Sequence, residues 1–248
     1  MKARMLRTAS VVIIGALMLS IFVVADADAR TAKPAYGEFN PDHETVDLFD
    51  AMKRGDIGVK FIPKDSSEAT IFVENKTEKP LNIRMPEAVG AEPILKQMGG
   101  GMGGGMGGGG GQGMGGGGGG GMMNVPPEKV GRHAIIGVCL EHGKPEPRPA
   151  MNYQIKPIEE VTDRPEVQEL CKVIGTGQVN QRAAQVAAWH LNNDMSIQEL
   201  ASKQLRYADG RRASYFSPAE IQVGMQLVGY VKKATAQSGA SDKSLSEQ

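Results

Sequence analysis

A run of 23 residues from Gly99 to Gly121 holds nineteen of the chain's 33 glycines, broken only by Met102, Met106, Gln112 and Met114. Glycine loses more backbone entropy on ordering than any other residue, so no helix or strand is expected inside such a tract. Residues 98–123, counting the flanking Met98, Met122 and Met123, therefore predict a flexible loop joining two ordered strands. Closure entropy grows only logarithmically with loop length, so a fold tolerates the expansion at small cost. Any core has to come from the chain on either side.

The N-terminus predicts an export signal over residues 1–29. Lys2, Arg4 and Arg7 form a positive start, Val11 to Val24 is an apolar run, and Ala25-Asp26-Ala27-Asp28-Ala29 offers small residues for cleavage after Ala27 or Ala29. This fourteen-residue run falls short of the roughly 20 that span a bilayer, and no later stretch is long enough. The mature protein is expected outside the cytoplasm, periplasmic or extracellular, with no membrane span. Beyond residue 29 the balance is 25 basic against 26 acidic residues, which leaves no charge excess to drive nucleic-acid binding.

A polar lead (30–44) precedes a segment, Thr45 to Arg54, that suits a short helix or turn. Alternation then predicts strands at Gly58–Ile62, Ala69–Glu74 and Leu81–Met85, the last two forming a hairpin about the polar turn Asn75–Pro80. His133 to Leu140 and Tyr153 to Ile158 supply further strands beyond the tract. The spacing predicts an α+β chain: an antiparallel β-sandwich of immunoglobulin-like or cupredoxin-like type over 45–160, interrupted by the glycine-rich loop.

A small helical unit follows over 161–233. Val167, Leu170, Cys171 and Ile174 lie on one stripe before Gly175, and Gln178 to Asn193 carries the next helical pattern. Ser196–Glu199 and Ser217–Glu220 are helix-opening signatures, and residues 234–248 are small and polar enough to predict a disordered tail.

Chemistry-bearing residues are few. Two cysteines in an exported chain predict a disulfide, Cys139 to Cys171, tying the sandwich to the helices. Met98, Met102, Met106, Met114, Met122 and Met123 could offer thioethers to a soft ion such as Cu(I). Asn75-Lys76-Thr77 is a formal glycosylation sequon. No nucleophile elbow, phosphate loop or zinc motif is present, and no cofactor or catalytic set is expected.

Three resemblances add to this reading. Cys139-x-x-His142 with Met151 downstream resembles the Cys, His, Met order of a cupredoxin, while Leu81 stands where that family's first histidine would, so the fold is implied without its copper site. Val138-Cys139-Leu140-Glu141 and Ala184-Gln185-Val186-Ala187-Ala188-Trp189 resemble the paired motifs of bacterial thioester adhesion domains. That likeness implies a thioester between Cys139 and Gln185, with His142 or His190 moving protons. Residues 42–230 resemble a group of exported bacterial proteins of unassigned function, on Asp47–Met52, Cys139–Pro145 and Gln181–Leu191. The expectation is an exported non-enzymatic protein with an interaction or cell-envelope role and an unidentified partner. Covalent attachment through Cys139 and Gln185 is the alternative, and soft-metal binding by the methionine tract the second.

Overall fold

A computed structural model describes residues 39–94, 112–117 and 119–246. The expected signal with its Ala27 and Ala29 cleavage points, and Met98, Met102 and Met106, lie outside those residues.

The chain opens with β1 (Glu44–Asp47), α1 (Leu48–Arg54), β2 (Ile57–Pro63), β3 (Glu68–Asn75), β4 (Leu81–Arg84) and β5 (Ala88–Pro93). After the tract come β6 (Met114–Gly117), β7 (Met122–Val125), β8 (Val130–Cys139) and β9 (Tyr153–Pro157), then a 3-10 turn, Ile158–Glu160. The remainder is α2 (Pro165–Gly175), α3 (Gln181–Asn193), α4 (Ile197–Ser202), β10 (Gln204–Arg206), β11 (Arg212–Ser214) and α5 (Pro218–Ser246).

The α+β class holds, but the sandwich does not. Six antiparallel strands close into a barrel in the order β2-β3-β8-β6-β5-β9, and β1-β4-β7 form a separate three-stranded sheet. Two pairings make the closure. β9 joins β5 along five residue pairs and touches β2 at Phe61 and Tyr153, while β6 bridges β5 and β8. Alternation of inner and outer residues is common to sandwiches and barrels, so it does not distinguish them. The strand that decides between them is cut from the glycine tract itself.

The tract was expected to hold no strand, yet Met114 to Gly117 is one, and all four residues are buried. Its glycines are required by what packs on them. A Cβ on Gly117 would overlap the backbone of Gly175 at the end of α2, and one on Gly115 would lie 2.5 Å from the Cys171 sulfur. The helix rests directly on strand backbone, a closeness that only glycine permits. Tertiary contact here outweighs the entropy that argues against order.

The expected hairpin is also displaced. β3 pairs with β2 and β8, whereas β4 pairs with β1 in parallel and with β7, so the Asn75–Pro80 turn carries the chain from one sheet to the other. Asn75 makes that turn: its amide donates to the carbonyls of Lys79 and Val125 at 2.8 and 2.9 Å, and its oxygen accepts from the Thr77 main chain. It is fully buried, so the folded protein offers no glycan acceptor at the sequon.

One core fills the barrel and reaches the small sheet, with Ile71, Val73, Ile83, Met85, Met114 and Met123 among its members. A second lies between the outer face of β8 and helices α2, α3 and α5, built from Val138, Leu140, Leu170, Cys171, Ile174 and Val231. Helix α5 continues to Ser246, past Lys233, where a disordered tail was expected to begin. No helix among the described residues is long and apolar enough to cross a membrane.

Candidate functional site

Beyond the end of β3, strand β8 has an open edge, and α3 covers it with side-chain amides. Gln181 donates to the Gly137 carbonyl at 2.9 Å, Asn192 donates to the Leu140 carbonyl at 2.6 Å, and Asn193 accepts from the His142 main-chain N–H at 3.2 Å. Gln185 sits at the middle of the row. Its oxygen accepts from the Cys139 N–H at 2.9 Å and its nitrogen donates to the Cys139 carbonyl at 2.8 Å. Buried main-chain groups need partners, and here a helix supplies what a neighbouring strand would have given.

This arrangement brings Cys139 and Gln185 together, but not through the thiol. The carboxamide is bound to main chain, while the Cys139 sulfur points to the Ser66 carbonyl at 3.9 Å. Burial raises the Cys139 pKa well above that of an ordinary thiol, with Glu146 and Asp65 adding to the effect. A neutral, buried thiol is a poor nucleophile. His190, the other suggested proton carrier, donates its Nδ1–H to the Met195 carbonyl at 2.8 Å, closing the end of α3.

The expected disulfide is absent: both cysteines are free and buried. Strand alternation gives the reason. Val138 and Leu140 share the helix-side core with Cys171, so Cys139, between them, points to the opposite side of the strand, into the barrel. Cys171 is fully enclosed, and burial pushes its pKa up to about 12. The described methionines of the suggested soft-metal set have packing roles. Met114 and Met123 are buried in the barrel core and Met122 is half-buried.

One turn further along α3, the chain's single tryptophan anchors an aromatic cluster. Trp189 is met edge-on by His142 at 4.8 Å between ring centroids and by Phe216 at 5.7 Å, with Tyr215 tilted at 5.6 Å. Arg182 stacks over Tyr215 and Phe216 and pairs with Glu220 at 2.8 Å. Lys203 places its ammonium 5.1 Å from the Trp189 centroid and 5.0 Å from that of Tyr215. The same nitrogen lies 2.8 Å from His142 Nε2. An ammonium can only donate, so Nε2 accepts and the neutral ring carries its proton on Nδ1. Burial, then Lys203, holds the His142 pKa below its ordinary value against the opposing pull of Glu199. Lys203 is shifted down as well, by burial, with Glu146 opposing.

Lys203 is also the root of a feature that sequence periodicity does not show. β10 and β11 form a hairpin, Leu205 paired with Ala213 and Arg206 with Arg212, around a turn in which Gly210 has φ of 84°. The clue was Asp209-Gly210, a turn signal, but strands of three residues are too short to show alternation. The hairpin is almost wholly exposed. Leu205 and Tyr207 present apolar surface on it, and Ile197 does so on the neighbouring α4. Arg206, Arg211 and Arg212 lie within seven residues, against the single acid Asp209.

Comparison of the chain with protein-family models, with curated proteins and with solved structures returns no match.

Proposed function

We propose that this is an exported, non-enzymatic binding protein whose contact element is the β10–β11 hairpin. The observation that carries the reading is the combination, on one projecting element, of exposed Leu205 and Tyr207 with three arginines. Hot spots of protein interfaces are enriched in tyrosine and arginine, and here Arg211 already stacks on Tyr207, 5.3 Å from the ring centroid. The aromatic cluster fixes the root of the hairpin, so the tip is presented on a rigid base. The residues first suspected of chemistry serve the scaffold instead: Gln185 holds β8, Cys171 fills the helix-side core and Cys139 faces the barrel interior.

A photo-crosslinking amino acid at position 207, in cells exporting the protein, tests this reading. A discrete adduct at 207, with none from the same group at exposed Arg132 on the barrel, is the expected result. Equal patterns from both positions would remove the hairpin as the contact element.

A further inference from the structure

The hairpin has two properties that its own fold leaves unanswered. The first is main-chain. Tyr207 N–H donates to the Arg211 carbonyl at 2.9 Å, and Tyr215 N–H to the Lys203 carbonyl at 2.8 Å. In an antiparallel ladder, residue pairs that exchange hydrogen bonds alternate with pairs that do not. With the register Gln204↔Ser214 and Arg206↔Arg212, those two pairs are the non-bonded ones. The N–H and C=O groups of all four residues therefore point outward, along two edges that no third strand covers among the described residues. Edges of this kind are templates for another strand.

The second is charge. Arg206 and Arg212 are cross-strand partners in a non-bonded pair, the geometry that brings side chains closest, and both are exposed. Like charges placed directly opposite destabilise a hairpin. Neither guanidinium has an ion-pair partner among the described residues, in contrast to Arg211, which pairs with Asp209. Alternation puts Gln204, Arg206, Arg212 and Ser214 on one face, opposite the face by which Lys203 and Tyr215 join the Trp189 cluster. Two arginines in such a position present paired forks suited to carboxylates.

Resting on the reading of the hairpin as the contact element, we propose that it binds an acidic polypeptide by strand addition. An extended segment lies along one open edge, its main chain bonded to Gln204 and Arg206 or to Arg212 and Ser214, and its Asp or Glu side chains answer the two arginines. The edge favours a polypeptide over a lipid surface, because only a polypeptide supplies alternating donors and acceptors at strand spacing.

The test uses the full mature chain and a fluorescein-labelled peptide of about eight residues alternating Glu and Val, roughly the length of a strand with its ends. Anisotropy should report binding that weakens with salt and is absent for the Lys–Val counterpart. Arg206→Glu with Arg212→Glu should weaken it by about tenfold or more. Gln204→Pro and Ser214→Pro each delete an outward N–H that the hairpin does not use, and Lys203 already has the extended backbone (φ −61°, ψ 133°) that suits a following proline. One of these two should also abolish binding while leaving the charge intact. Trp189 fluorescence and the melting temperature confirm that each variant is folded.

Binding unaffected by both prolines overturns strand addition. Binding to vesicles of anionic phospholipid but not to the peptide makes the occupant a membrane and overturns the proposal. Self-association of the wild type that the arginine reversals abolish, with no peptide binding, makes it a second copy and does the same. A crosslink at position 207 that persists without peptide binding retains the hairpin as contact element and removes the acidic partner alone.

Discussion

Both polar atoms of the Gln185 carboxamide are engaged by the main chain of Cys139, and this decides what the pair can do. Intact mass of the unreduced protein should equal the mass of its polypeptide, without the loss of about 17 Da that marks a thioester or about 2 Da that marks a disulfide. Alkylating reagents should reach Cys139 and Cys171 only in denaturant, since both are buried. Loss of either mass increment would reopen the corresponding linkage. His142 makes a pH-dependent prediction. Its folded pKa lies below its ordinary value, so its contribution to stability is complete above about pH 6.5 and is lost as pH falls through the lowered value. Protonation removes the acceptor for Lys203 and sets two cations against each other. Trp189, which contacts both, should report a single-proton quenching of fluorescence below about pH 6.5. His142→Gln should abolish the transition, and Lys203→Met should move it to higher pH. An unchanged titration in His142→Gln would assign the signal elsewhere.

Individual elements differed in how plainly the sequence showed them, for reasons that are local or not. The opening of α4 was readable because its capping box joins Ser196 and Glu199, three residues apart. α2 was readable from its apolar stripe, Val167, Leu170, Cys171 and Ile174, all of them buried. By contrast, β6 has almost no side chains, so no periodicity could announce it, and its evidence lies about 60 residues away in the backbone of α2. That distance yields a prediction. Gly117→Ala must displace the end of α2 and should cost about 3 kcal/mol or more, whereas Gly113→Ala, with its nearest neighbour at 3.6 Å, should change stability by less than about 1 kcal/mol. Denaturant melts of the two variants make the comparison; equal effects would mean that the helix does not press on the strand. At the candidate site, Cys139, Gln185 and His142 were all singled out from the sequence, but their contacts were not. Which face of β8 carries the thiol depends on register, and the partnership of His142 with Lys203 joins residues 61 apart.

For the molecule as a whole, the helices complete the barrel more than they decorate it. Val138 and Leu140 are covered by α2, α3 and α5, and Val228 and Val231 of α5 close that core. A chain ending after Lys233 keeps these residues and should melt within a few degrees of the full protein. One ending after Ser217 uncovers both the helix-side core and the Trp189 cluster and should lose cooperative unfolding, measured by calorimetry. The backbone-on-backbone seat of β6 beneath α2 has one more consequence, for inheritance. A strand of glycine can slide, and a slip of one residue would exchange the inner and outer faces, so Met114 is the marker that keeps Gly115 and Gly117 beneath the helix. Repetitive glycine codons are prone to gain and lose copies. Such changes between Met114 and Met122 should be selected against, so that the length of this monotonous stretch of gene is held by the packing of one strand.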